Sequence, residues 1–166
     1  DAARSLEAAG ADFLVLCTNT MHKVAPAIEA AVGIPLLHIA DPTATGIKQA
    51  GHSKVGLIGT RFTMEQDFYR ERLSARHGLS VIVPNEEDRA MVHRIIYDEL
   101  CLGVVLPESR SAYRRIMASL VAQEAEAIIL GCTEVSLLVS QEDASVPLFD
   151  TTAIHAQAAA DAALAV

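Results

Sequence analysis

Short apolar runs alternate along this chain with longer stretches whose apolar residues recur every three or four positions. The runs lie in Phe13–Leu16, Ile34–Ile39, Lys54–Thr60, Leu79–Pro84, Ala127–Gly131 and Ser145–Asp150. Runs this short, rich in Val, Ile and Leu, predict strands buried on both faces. The periodic stretches predict helices over Met21–Val32, Pro42–Ala50, Phe62–His77, Glu86–Leu102, Ser111–Ala122 and Ala153–Ala165, with the end of another at Asp1–Gly10. Gly10, Gly33, Gly51 and Gly78 close helices, and Asp41 is expected to cap the helix that opens at Pro42. Val24, Ile28, Phe68, Leu73, Met91, Ile95, Leu100 and Leu102 are the expected inward positions. Strands alternating with helices imply parallel pairing.

One local arrangement occurs twice. FLVLCTNTMH, Phe13–His22, runs from strand to Cys17, a polar cluster and a helical pattern. AIILGCTEVSLL, Ala127–Leu138, runs from strand to Gly131, Cys132, Thr133, Glu134 and another helix-like run. An Ala-rich acidic stretch precedes each strand. A proline-containing strand follows each cysteine, GIPLLHI at Gly33–Ile39 and SVPLFD at Ser145–Asp150. Matching surroundings suggest a duplicated half-domain with one thiol per half. The expected fold is α/β, with two pseudo-symmetric doubly wound parallel-sheet units. The first half spans 1–50 and the second 51–150. The helix in 151–166 packs back on the first half. The first unit begins with a helix and lacks the opening strand that KVGLIGT, Lys54–Thr60, supplies to the second.

The bulk properties narrow the function. The 166 residues carry a net charge of −8, where a nucleic-acid binder would be basic. The arginines near Arg70–Arg76 and Arg110–Arg115 are expected on solvated helix faces. No apolar run approaches a membrane span, and no signal peptide is visible. The three cysteines lack CxxC spacing, so neither a zinc site nor a disulfide framework is indicated, and a reducing cytoplasm is expected. No HExxH or paired-carboxylate pattern suggests a metal. GLIGTR at Gly56–Arg61 is not a dinucleotide fingerprint.

Ligands in open α/β sheets bind outside the carboxyl ends of the strands, where both motifs place their thiols. A free thiol has a pKa of about 8.5, and lowering it by about one unit takes roughly 1.4 kcal/mol. A helix start behind each cysteine, together with one or two donated hydrogen bonds, would supply that. Two thiols facing one carbon from opposite sides suit inversion of a stereocentre. One removes a proton and the other returns one from behind.

CTNTMH at Cys17–His22 and GCTE at Gly131–Glu134 resemble the aspartate/glutamate racemases, as do IPLLHIADPTA and KVGLIGTRFTM. The resemblance covers nearly the whole chain. It implies two α/β domains with the active site between them, no pyridoxal phosphate or other cofactor, an amino-acid substrate and a homodimer. By motif match it makes Cys17 and Cys132 the acid/base pair and assigns Asn19, Thr20, Thr60 and Thr133 to substrate. Thr18 offers a further hydroxyl, and Arg61 a partner for a substrate carboxylate. Glu134, also expected to bind substrate, stands where glutamate-specific members carry histidine, which points to the aspartate-type branch. Members also begin with a strand and a glycine-rich, serine-bearing loop that does not precede Asp1. Part of the first domain is therefore expected to be missing, leaving a sheet edge exposed. A hydantoin racemase, a maleate isomerase, an arylmalonate decarboxylase and a non-catalytic binding fragment remain alternatives on the same scaffold.

The other candidates are bland. Cys101, in ELCLG, is expected in the core. His77 and His93 are expected at the surface, and His52 and His155 in loops or at helix starts. His22 either orients Cys17 or packs, and His38 is core or cleft wall.

Overall fold

The computed structural model describes residues 1–165. The chain opens with α1 (Ala2–Ala8), β1 (Leu14–Val15), a 3₁₀ turn at Thr20–Val24, α2 (Ala25–Glu29), β2 (Leu36–Leu37) and α3 (Ala40–Gln49). It continues through β3 (Lys54–Gly59), α4 (Arg61–Glu65), α5 (Asp67–Glu71), a π turn at Arg72–Arg76 and β4 (Ser80–Ile82). Then come α6 (Glu86–Asp98), a 3₁₀ turn at Leu100–Leu102, α7 (Pro107–Ala122) and β5 (Ala127–Gly131). Two 3₁₀ turns, β6 (Leu148–Asp150) and α8 (Thr151–Leu164) complete it.

All strand pairs are parallel. β1 and β2 form one sheet, and the other four strands form a second in the order β4-β3-β5-β6. The central strands β3 and β5 show why both faces need cover. Ile58, Ile128 and Leu130 join the core beneath α6 and α7. Val55, Leu57, Ala127 and Ile129 join the opposite core, with Ile47 of α3, Tyr69 and Leu73. The two-residue period of a strand thus divides one apolar run between two helix layers.

At the carboxyl ends of these strands the backbones come unusually close. A Cβ on Gly59 would sit 2.7 Å from the Gly131 carbonyl oxygen, so only glycine lets β3 and β5 end side by side. That junction delivers Thr60 and Cys132 to one edge.

Several expected elements take a different form. The helix expected over Met21–Val32 is a 3₁₀ turn followed by the five-residue α2, and Val24 stays exposed. Asp41 does not cap α3. It lies in the first turn, where Arg72 Nε and Nη2 donate to its carboxylate at 2.7 and 2.6 Å. That long-range pair outcompetes the local cap. The expected helix 62–77 breaks at Gln66, whose ψ of 146° is extended, and resumes as α5. α7 starts at Pro107 rather than Ser111, because proline suits a first helical turn. α8 starts at Thr151, two residues early, because the Asp150 carboxylate accepts from Thr152 N at 2.9 Å. The run after Cys132 forms only the 3₁₀ turn Val135–Leu137.

The arginines expected on solvated faces are partly committed to acids. Beyond Arg72, Arg115 pairs with Asp88, and Arg110 and Arg114 converge on the buried Asp143. Arginine snorkels, so a helix-face pattern in sequence conceals such pairs. Among the described residues no helix is long and apolar enough to cross a membrane.

Candidate active site

The loop after β1, the end of β3 and the end of β5 meet around a cavity of about 310 Å³. That lies at the lower end of small-ligand pockets, which begin near roughly 300 Å³. Thr18, Asn19, Thr20 and Met21 line it from the first loop, and Thr60 from the end of β3. Gly131, Cys132, Thr133 and Glu134 line it from the end of β5. Ile96, Tyr97 and Cys101 complete the lining.

Hydroxyls and one amide lock the first loop onto the second sheet. Thr20 Oγ1 lies 3.1 Å from Thr60 Oγ1 and 3.4 Å from Thr63 Oγ1. Asn19 Nδ2 donates to Thr151 Oγ1 at 3.0 Å, and Thr151 Oγ1 donates to the Leu130 carbonyl at 2.8 Å. Asn19 is buried, and its Oδ1 has no hydrogen-bond partner.

His22 fixes the same loop from behind. Its Nε2 accepts from Ile39 N at 3.2 Å, so the proton sits on Nδ1, which donates to the Thr18 carbonyl at 2.6 Å. Burial, reinforced by His155 and Arg72, lowers the His22 pKa to about 4, against the pull of the Thr18 carbonyl. Burial, then His22 and Arg72, lowers His38 to about 3. Their rings are 4.3 Å apart. His155, near the start of α8, is buried as well and bonds the Leu37 carbonyl at 2.8 Å. His77 pairs with Asp41.

Acid should therefore loosen this region before it touches the carboxylates. Both folded pKa values lie below the ordinary 6.5, so the unfolded chain binds protons that the folded chain refuses. Their contribution is whole above about pH 6.5 and lost as pH falls towards about 4 and about 3. Asp41 follows only below the usual carboxylate range. Burial there is outweighed by its bonds from Arg72 and His77, which hold it at about 2. Urea midpoints should fall steadily between about pH 6.5 and about pH 4.5, by at most about 1.4 kcal/mol per unit for each histidine. A flat profile over that interval would show that these rings are not held neutral.

The two cysteines of the paired motifs differ. Cys132 is buried, lines the cavity and donates to Glu134 Oε2 at 3.0 Å. Thr133 Oγ1 donates to the same oxygen at 2.6 Å. Burial first, and the Glu134 carboxylate second, push the Cys132 thiol far above its ordinary value. This overturns the expectation of a helix start lowering it, since no α-helix follows. Burial opposes the charge on Glu134, yet the bonds from Cys132 and Thr133 hold its carboxyl below the ordinary range.

Cys17 is exposed, its Sγ lies 4.0 Å from the Val15 carbonyl oxygen, and the residue is not part of the cavity lining. Thr18, the next residue, is. Arg61 is exposed and also outside the lining; its backbone N donates to His93 Nδ1 at 3.3 Å.

Cys101 is exposed and lines the cavity, contrary to the expectation of a core residue. Helical geometry breaks at Glu99, with φ −125° and ψ −70°, and the following 3₁₀ turn sends Leu100 inward. Leu102 is 72% exposed rather than inward. Tyr97 and Ile96 were likewise not singled out from sequence. The Gly103 stop, at φ 75°, is the one signal that the helical period had ended.

A parallel-sheet α/β chain with a thiol–carboxylate pair at its carboxyl edge is the class defined so far. Residues 1–159 match the Asp/Glu/Hydantoin racemase family. The chain belongs to that family, and racemases are isomerases. It is 27% identical to the broad specificity amino-acid racemase RacX of Bacillus subtilis, covering 99% of this chain and 70% of that protein. It is similar to the crystal structure of a Yersinia pestis protein assigned as an Asp/Glu racemase, at 64% identity and TM-score 0.94, covering 98% of this chain and 71% of that one. An aspartate racemase homologue from Pyrococcus horikoshii is 37% identical with TM-score 0.87, over the same shares of the two chains.

Proposed function

We propose that the cavity around Cys132 inverts the α-carbon of aspartate, glutamate or a related amino acid, without pyridoxal phosphate. What carries the reading is the convergence of the loops after β1 and β5 on one small cavity, with the Cys132 thiol on one wall. An α-proton is far less acidic than a thiol. The site must therefore stabilise a developing carbanion with oriented donors, and the hydroxyls of Thr20 and Thr60 are the donors at hand. The division into halves near residue 50, the homodimer and the cytoplasmic setting belong to the same proposal.

In the two-thiol form of the mechanism, Cys132 works on one face of the α-carbon and Cys17 turns inward from its exposed position to work on the other. A second reading is favoured by the lining itself: Thr18, not Cys17, borders the cavity, and its hydroxyl donates a proton on the opposite face while the Cys132 thiolate removes one. Cys17→Ser and Thr18→Ala separate the two. Interconversion of L- and D-aspartate, followed by chiral chromatography, should collapse in Cys17→Ser if both thiols act. If the hydroxyl acts, it should collapse in Thr18→Ala and survive in Cys17→Ser. Full interconversion in both variants would contradict either form. Parallel product analysis over hydantoins, maleate and malonate derivatives distinguishes the related chemistries.

A further inference from the structure

Within the Cys132 wall, the racemase reading leaves open where the thiol's own proton goes. Glu134 Oε2 accepts from Cys132 Sγ at 3.0 Å and from Thr133 Oγ1 at 2.6 Å. Both partners line the cavity; Cys132 is buried, and Thr133 and Glu134 are half-buried. We infer that Glu134 is the group through which Cys132 gains and loses its proton. Thiol and carboxylate share one proton and one negative charge, so Cys132 rests as the acid and Glu134 as the base. This deepens the function proposed above and rests on it. Glu134 therefore acts through Cys132 rather than as a substrate ligand. The raised thiol and the lowered carboxyl agree with a proton resting on sulfur.

The proton path closes in both directions. When the opposite wall removes the α-proton, the Cys132 S–H bond breaks and a new C–H bond forms on the near face. The thiolate left behind is reprotonated from solvent by way of Glu134. In the reverse direction Glu134 takes the thiol proton and passes it to solvent, and the thiolate then removes the α-proton, which restores the S–H bond. No electron changes hands. The resting enzyme is thus set for the direction in which Cys132 donates.

The test uses two readouts that should move in opposite senses. In a chain carrying Cys17→Ser and Cys101→Ser, iodoacetamide reports Cys132 alone. Glu134→Gln should shift the pH midpoint of its alkylation down by at least about one unit, which makes the thiol about tenfold more reactive below that midpoint. Glu134→Asp, which keeps the charge, should stay near the parent. With all three cysteines present, Glu134→Gln should slow solvent exchange of the aspartate α-proton by about 100-fold. A Glu134→Gln midpoint that stays or rises overturns the shared proton. Unimpaired exchange in Glu134→Gln overturns the proton path. If the unmodified protein exchanges no α-proton, the racemase reading fails, while the alkylation shift still decides whether thiol and carboxylate are linked.

Discussion

Cys132→Ser should reduce solvent exchange of the α-proton of aspartate by on the order of 10³-fold, within the range that positioned acid/base groups contribute. A hydroxyl fills nearly the same volume and can still donate to Glu134. It is a far weaker acid than a thiol, however, and its conjugate base is almost never present at neutral pH. The loss should therefore fall on the chemical step. Cys132 packs at the edge of the core beneath α6 and α7, and serine leaves that packing almost intact. Urea unfolding of the variant should match the parent, and exchange followed by NMR should not. Equal exchange in both would remove Cys132 from the chemistry.

His22→Ala should destabilise the fold strongly, although the residue lies outside the cavity lining. The ring satisfies the Thr18 carbonyl on one side and the Ile39 N–H on the other, and it is 1% exposed. Alanine orphans both backbone groups and leaves a void. Each unsatisfied group costs about 1–3 kcal/mol, and partial rehydration should bring the total to about 2–4 kcal/mol. The function should suffer with the fold, because His22 anchors the loop that carries Thr18, Asn19 and Thr20. Substrate affinity should weaken more than the chemical step. Urea unfolding and saturation kinetics measure the two effects. A change of stability below about 0.5 kcal/mol would show that the loop does not depend on this anchor.

Much of the architecture was legible because strands buried on both faces leave an unambiguous mark. The apolar runs at Lys54–Thr60 and Ala127–Gly131 contain the central strands β3 and β5. The glycines at 10, 51 and 78 do adopt positive φ, as helix stops should. What escaped was non-local. Asp41 looked like a cap because its partner Arg72 lies 31 positions away. Cys101 looked like core because its neighbours are apolar, and only Gly103, two residues on, announces the 3₁₀ turn that rotates it outward. His155 sits in an Ala-rich helix with no visible apolar stripe, yet its ring reaches the Leu37 carbonyl in the other sheet. The paired motifs did identify most of the cavity lining. They did not reveal that the first cysteine and the threonine beside it would be treated differently, because adjacent residues in an irregular loop carry no face preference that a sequence period can read.

Incubating the purified protein with L-aspartate in deuterated water tests the central claim most directly. The account predicts deuterium at the α-carbon together with the appearance of D-aspartate, and loss of both signals in Cys132→Ser. An α-proton that stays in place while aspartate demonstrably binds would contradict it.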